Sequence, residues 1–316
     1  MLWSSATVSA AARGQLEAAG PPRSAILDPG ARGAAQPRRM TILVTGATGN
    51  VGRHVVASLR DAGYDVRVLT RRPQAVPAVP GVRVLAGDLR DPATLRPALS
   101  GVDRLFLFPV PDTAGHVTDL AVAAGVRRVV TLSSVAAEYA DGDYSGDHHR
   151  PIEQAVERSG IAWTHLRPGE FMVNYRDRWG PSIRAEDVVR APYGDVRAAP
   201  VHEADVADAA VAALLTDGHE YRRYAFTGPE SLSKYDLVAT LGRELGRPIA
   251  FHELTPPQAR EMWLAQGLPP AFADWLLTDT ESMPAGPTTE PITGRPPRTF
   301  ADWVRDHRAD FRRHAT

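Results

Sequence analysis

Residues Thr41 to Val55 read T-I-L-V-T-G-A-T-G-N-V-G-R-H-V. An apolar β-branched run, glycines spaced G-x-x-G-x-x-G and an amphipathic stretch follow one another without interruption. No other feature of the chain limits its possible folds as strongly. A strand–loop–helix unit needs a sharp reversal at the strand end, which suits Gly46. It needs bare backbone in the loop, which suits Gly49, where N–H groups can meet a pyrophosphate with no Cβ between. It needs a helix seated close to the sheet, which suits Gly52. The positive end of that helix then faces the same phosphates. A βα turn that holds nothing is the alternative.

From Met40 onward, short apolar runs alternate with amphipathic stretches. Strands are expected at Thr41–Thr45, Asp65–Thr70, Val82–Leu85, Arg104–Phe108, Arg128–Leu132 and Ile161–Leu166. Helices are expected at Val51–Ala62, Pro92–Leu99, Thr113–Ala124 and Pro151–Arg158. Buried strands alternating with helices give α/β architecture: a Rossmann-type doubly wound parallel sheet over about 40–168. At Arg167 the rhythm breaks. The remainder reads as a small, mostly helical substrate lobe, formed mainly by 169–200 and 219–297, on the edge of the sheet where ligands sit. Its helices are expected at Lys234–Leu245, Pro256–Leu268 and Pro270–Leu277. Val206–Thr216 and a closing helix Thr299–Phe311, capped by Thr299, complete the chain.

The end of the second strand bears on the choice of dinucleotide. An NAD site usually places Asp or Glu there for the ribose hydroxyls. Here Thr70 is followed by Arg71 and Arg72, a pair suited to a 2′-phosphate, so NADP(H) is favoured over NAD(H). The alternative is a solvated surface pair. After the third strand, Asp88 can accept from an adenine amino group while Leu89 lies against the ring, or Asp88 can simply lead the next helix.

Composition closes several other routes. There is no cysteine, which excludes disulfides, cysteine-ligated zinc and thiol catalysis. A net charge of −1 gives no reason to expect nucleic acid or an anionic membrane as a partner. No apolar run approaches the roughly 20 residues that span a bilayer. Residues 1–39 are rich in Ala, Gly, Pro and Arg without a sustained period, and read as a disordered extension ahead of a domain that begins at Met40. A targeting or regulatory arm is the alternative. The expected setting is cytoplasmic, with a small-molecule substrate and with a homodimer allowed for.

Together these residues resemble the atypical short-chain dehydrogenase/reductases, and within them the NmrA-like group. The likeness runs from T-I-L-V-T-G-A-T-G-N-V-G through R-R-P, G-D-L, V-V-T-L-S-S and S-G-I-A-W-T-H-L-R-P-G-E-F-M-V-N. It continues through H-E-A-D-V-A-D-A-A and Y-A-F-T-G-P-E to T-G-R-P-P-R-T-F-A-D-W-V. The later part is similar to ergot-alkaloid-type iminium reductases and NADPH:quinone reductases. The resemblance implies a strand order of 3-2-1-4-5-6 and cofactor contacts at Thr48, Asn50 and Val51 beside the glycines. It also implies that Pro109 and its neighbours run beside the ribose. Ser133 and the Arg167–Phe171 loop, with Pro168, then approach the nicotinamide.

One departure matters. Ordinary members of the superfamily use Tyr-x-x-x-Lys, and the only lysine here is Lys234, far downstream. Tyr144 and His148 have the spacing with histidine in place of lysine, and are the tentative catalytic pair. Because Pro151 suits only a helix's first turn, the helix is expected to begin near Arg150. That leaves both residues in a loop with no fixed mutual geometry, where the favoured reading is no chemical role. His148, His149 and Glu153 make a poor metal set for the same reason, so no metal is expected. Phe171, Tyr175 and Trp179 are candidates to line the substrate site, or ordinary core residues. The expected activity is NADP(H)-dependent reduction of a small unsaturated, quinone or iminium-type substrate. A nucleotide-sensing regulator without turnover and a non-redox biosynthetic enzyme stand as alternatives.

Overall fold

The computed structural model describes residues 40–76, 79–278 and 280–313. The expected extension over residues 1–39 lies outside them. Six parallel strands open the chain: β1 (Thr41–Thr45), β2 (Asp65–Thr70), β3 (Val82–Ala86), β4 (Arg104–Leu107), β5 (Arg128–Leu132) and β6 (Ala162–Pro168). The helices between them are α1 (Gly52–Asp61), α2 (Pro92–Leu99), α3 (Ala114–Ala123) and α4 (Gly146–Arg158). There follow α5 (Val173–Glu186), β7 (Val188–Ala191), β8 (Arg197–Ala198), α6 (Glu203–Leu215) and β9 (Arg222–Phe226). The last part comprises β10 (Leu232–Ser233), α7 (Lys234–Leu245), β11 (Ala250–Glu253), α8 (Pro256–Ala265), α9 (Pro270–Leu276), α10 (Glu290–Thr293) and α11 (Phe300–Asp306).

The central sheet has seven strands in the order β3-β2-β1-β4-β5-β6-β9. All five residues of β1 are buried, as a central strand covered on both faces requires. Alternation then sorts its side chains. Ile42 and Val44 join Phe106, Val130 and Leu166 beneath α1 and α6, while Leu43 joins Leu105, Leu107 and Val129 beneath α2, α3 and α4. Helix α6 lies close because the residues it turns to the sheet are small: Ala207, Ala209, Ala210 and Ala213 are all fully buried. Burying each Leu or Val of such a core contributes about 1.5–3 kcal/mol.

The sheet differs from the expected order by its seventh strand. β9 pairs in parallel with β6, from Thr164 opposite Arg222 to Pro168 opposite Phe226, although its sequence falls in the range expected for the lobe. The lobe itself is helical apart from two two-stranded pairs, β10 with β8 and β11 with β7. Its core is built on Tyr175, Trp179 and Ile183 of α5, Leu237 and Leu241 of α7, and Phe300 and Trp303 of α11. Thr299 caps α11 as expected, in a reciprocal box with Asp302. The closing helix is shorter than expected: α11 stops at Asp306 and a 3-10 turn, Arg308–Phe311, finishes it.

The helix ahead of Pro151 also departs from expectation. α4 begins at Gly146, so Pro151 lies inside it and His148 lies on it. Anchoring from the preceding loop accounts for the longer helix. The Asp143 carboxylate accepts from the Gly146 N–H (2.6 Å), and Arg150 binds Asp141 (2.6 Å) and the Tyr139 carbonyl (2.5 Å). These charge-assisted contacts offset the cost of an internal proline.

Candidate cofactor and substrate site

The glycine loop joins β1 to α1 at the carboxyl edge of the sheet. Gly46 has φ +61°, and a Cβ there would lie 2.7 Å from the Cβ of Phe108. A Cβ on Gly52 would lie 2.2 Å from the Gly46 carbonyl oxygen, so the start of α1 rests directly on the loop. Gly49 differs. Its Cβ would meet only the Gly46 oxygen, at 3.1 Å, and the space beyond is open. The loop is closed by the Gly49 N–H donating to the Gly46 carbonyl (2.9 Å). No side chain caps α1, and no acidic residue occupies its first turn. Its terminal N–H groups and positive dipole end therefore suit a pyrophosphate.

The residues expected around this loop are distributed along the same edge. Thr48 is exposed, Asn50 is half-buried and Val51 is buried. Arg71 and Arg72 are exposed just past β2, where the Arg72 N–H donates to the Thr70 hydroxyl (3.2 Å). The half-buried Asp88 uses one carboxylate oxygen to accept from the Arg90 N–H (2.9 Å), a turn-stabilising role. The neighbouring Leu89 carbonyl binds His116 Nε2 (2.6 Å). Pro109 and Pro168 are buried at the ends of β4 and β6.

Sequence reasoning missed one contributor. Arg176 of α5 reaches back to the glycine loop, with Nη2 3.5 Å from Asn50 Oδ1. It also sits beside Asp177 (2.8 Å) and Asp310 (3.9 Å). No local pattern singles out this arginine, because α5 as a whole was not expected.

Ser133 is buried and turned toward α4, where its hydroxyl donates to Glu153 Oε1 (2.5 Å). Arg167 grips Glu153 through Nε (2.9 Å) and Nη2 (2.5 Å), and Glu138 through Nη1 (2.5 Å). Burial works to raise the Glu153 pKa, but the Arg167 hydrogen bonds and charge hold it below the usual carboxylate value. His165, fully buried in the same layer, stacks on Trp163 (4.4 Å between centroids). Burial pushes its pKa down to about 4. Glu153, Glu157 and His165 present ligand atoms within 4.8 Å of one another. Both carboxylates already face guanidiniums, Glu153 with Arg167 and Glu157 with Arg223, so the cluster reads as an ion-pair network.

Tyr144 and His148 do face each other, against expectation: their ring centroids are 4.9 Å apart, with Tyr144 in the turn just ahead of α4 and His148 in the first turn of that helix. Tyr144 also packs on Phe272 (5.5 Å) and Trp275 (6.0 Å) of α9. Trp275 fixes this contact by donating its indole N–H to Asp143 Oδ2 (3.1 Å). His148 Nδ1 donates to the Tyr144 carbonyl (2.6 Å), and His149 Nδ1 to the Ser145 carbonyl (2.9 Å). Each ring is thus tied to the backbone one turn back.

Of the three aromatic candidates, Tyr175 and Trp179 serve both the lobe's core and the lining of a cleft beside α5, whereas Phe171 bridges Val201 outside that lining. The Tyr175 hydroxyl donates to Glu170 Oε2 (2.7 Å) in the loop after β6. Among the described residues, no helix is long and apolar enough to cross a membrane.

A family described as NAD(P)H-binding matches residues 46–217, more than half of the chain. The chain is 45% identical over 281 residues to a (4-alkanoyl-5-oxo-2,5-dihydrofuran-3-yl)methyl phosphate reductase of Streptomyces griseus, covering 85% of this chain and 99% of the relative. It is 34% identical over 283 residues to an NAD(P)H azoreductase of Xenophilus azovorans, with 85% and 99% covered. Among solved structures, the NADPH complex of an Escherichia coli NADPH-dependent quinone oxidoreductase aligns with a TM-score of 0.72 at 28% identity, covering 83% of this chain and 98% of that one.

Proposed function

The chain belongs to the NAD(P)H-binding family, as an NmrA-like oxidoreductase, and on that premise we propose that it reduces a small electron-poor acceptor whose developing charge is delocalised. The observation that carries this reading is chemical. The acceptors of its relatives are a dihydrofuranone conjugated to an acyl group, an azo compound and a quinone. Each can take a hydride on one atom and spread the negative charge onto oxygen or nitrogen. Such an acceptor needs little acid catalysis, in keeping with a chain whose only lysine, Lys234, lies outside the Tyr-x-x-x-Lys position.

We assign NADP(H) as the preferred cofactor. The nicotinamide, when bound, supplies the hydride. The glycine loop and the uncapped start of α1 hold the pyrophosphate, and Arg71 and Arg72 hold the 2′-phosphate. Arg176 adds a cation from the lobe side. The Arg167–Phe171 loop orients the reacting ring, braced from behind by the Ser133–Glu153–Arg167 network. The α8–α9 pair excludes water from the acceptor. The test is NADPH consumption with the full chain and a panel containing a benzoquinone, an azo dye and an acyl-butenolide. Consumption with at least one acceptor is the expected result; none with any of them would sink the reading.

A further inference from the structure

The first turn of α1 carries a cation where a helix dipole favours an anion: Arg53 directly follows Gly52. Its backbone N–H donates to the Gly49 carbonyl (3.2 Å), which ties the residue to the glycine loop. Its side chain is 41% exposed and turns toward α6, with Nη2 3.4 Å from Glu203 Oε1. Glu203 is the first residue of α6 and is fully buried. A contact of that length from a part-exposed guanidinium is a loose hold.

The same carboxylate oxygen has a closer partner in His307, the C-cap of α11, whose Nε2 lies at 3.0 Å. His307 Nδ1 meets the Trp303 carbonyl (2.9 Å). A carbonyl and an ionised carboxylate can only accept, so both ring nitrogens donate and the ring is an imidazolium. Burial opposes that charge, but the Glu203 hydrogen bond and carboxylate raise the His307 pKa above the ordinary 6.5, with Asp310 adding to the effect. Burial likewise works to raise Glu203, and the His307 bond holds it low. The other charged or titratable neighbours are Arg53 and His54 of α1, His202 ahead of α6 and Asp306 beside it on α11. Arg298 acts on His54 and His202. Burial lowers both of those histidines, so above pH 6.5 it is His307 that changes charge in this cluster.

With His307 charged, Glu203 is neutralised and Arg53 is free to turn to another anion. With His307 neutral, the carboxylate keeps Arg53. We propose that Arg53 is a further contact for the cofactor's pyrophosphate, released to it from Glu203 while His307 carries its proton. The inference rests on the glycine loop as the seat of the pyrophosphate, and adds a cation whose availability depends on pH. By linkage, a cofactor that draws Arg53 away from Glu203 also favours the protonated His307.

The test is NADH binding to the full chain from about pH 6.5 to about 9, across the range in which a raised histidine titrates. NADH is chosen because it has no 2′-phosphate to titrate. Affinity should fall about fivefold or more as pH rises. Arg53→Ala should bind about tenfold more weakly at the acid end, with a flat profile, and Arg53→Lys should keep most of the parent's affinity. His307→Gln should show the weak, flat profile of the parent at high pH. Glu203→Gln, which leaves Arg53 unclaimed, should bind at least as tightly as the parent. Calorimetry in phosphate and Tris buffers supplies a readout that needs no variant: NADH binding should take up protons. Unchanged affinity in Arg53→Ala, or no pH dependence and no proton uptake in the parent, would overturn the inference and leave the cofactor reading standing. Weaker binding in a folded Glu203→Gln chain would make Arg53 a clamp between α1 and α6, and overturn it too. No binding of NADH or NADPH at any pH would sink the cofactor reading itself, and this inference with it.

Discussion

Arg176 Nη2 lies 3.5 Å from Asn50 Oδ1, so helix α5 touches the glycine loop, the proposed seat of the cofactor's phosphates. The pyrophosphate is common to both nicotinamide cofactors. Arg176→Ala should therefore weaken NADPH and NADH by the same factor, about tenfold. Fluorescence titration with each cofactor measures it. Unchanged affinities would remove Arg176 from the cofactor site.

Arg71 and Arg72 make the contrasting prediction. Only NADPH carries a 2′-phosphate, and charge-assisted bonds to it are worth roughly 1.5–3 kcal/mol. The unmodified chain should prefer NADPH, and replacing both arginines by alanine should remove most of the preference with little change in NADH affinity. Equal dissociation constants for the two cofactors in the unmodified chain would defeat the assignment.

Two glycines of one loop should fail in different ways. Gly49→Val adds a side chain where the space beyond the loop is open, and should abolish binding of either cofactor while the melting temperature stays near that of the parent. Gly52→Ala drives a methyl group to within 2.2 Å of the Gly46 oxygen. Backbone must shift, at a cost of about 1–3 kcal/mol, so this variant should melt several degrees lower. A Gly49→Val protein that binds NADPH normally would show that the phosphates lie elsewhere.

Tyr144→Phe and His148→Ala should each lower kcat by less than about tenfold, whereas a positioned general acid contributes roughly 10²–10⁴-fold. The motive is the acceptor's chemistry together with the packing: the Tyr144 ring lies among Phe272, Trp275 and His148, and His148 Nδ1 is engaged by the Tyr144 carbonyl. A loss near a thousandfold in kcat with NADPH affinity intact would make the pair the acid.

Buried histidines set the response to pH. Burial pushes His149 and His165 down to about 4 and lowers His202 as well, against an ordinary value of 6.5. Between pH 6.5 and 4 the unfolded chain thus binds more protons than the folded one. Their stabilisation is complete above pH 6.5 and falls by about 1.4 kcal/mol per pH unit for each histidine as the solution is acidified. His307 runs the other way. Burial opposes its charge, but the Glu203 carboxylate raises its pKa, so its contribution is present below pH 6.5 and lost as pH rises through the folded value. Burial lowers His54 and His219 as well, so with five histidines against one the melting temperature should drop from pH 7 to pH 4.5. His165→Gln should flatten the slope; a flat profile in the parent would contradict the burial of these rings.

What was legible in the sequence was local. The β1–loop–α1 unit, the strand runs and the Thr299 cap are each specified by residues within a few positions of one another. Helix α5 was not legible, because Gly180, Pro181 and many charged residues mask a buried stripe of Tyr175, Trp179 and Ile183 at intervals of one turn. Edge strand β9 was hidden for a related reason: Arg222, Arg223 and Ala225 are exposed, and its pairing partner β6 lies far back in the chain. The early start of α4 depends on Asp143 and Arg150, whose tethering is visible only in three dimensions. Of the candidate site, the glycine loop could be read directly, while Arg176 and the partners of Arg53 are assembled by tertiary packing.

The scarcity of lysine has a practical side. Among 316 residues there is a single side-chain amine, and it lines the cleft beside α5. Amine labelling, ordinarily a diffuse footprint over a protein's whole exterior, is here confined to Lys234 and the chain's α-amino group. The rate at which Lys234 is modified becomes a gauge of cleft occupancy, readable by mass spectrometry before any substrate is known.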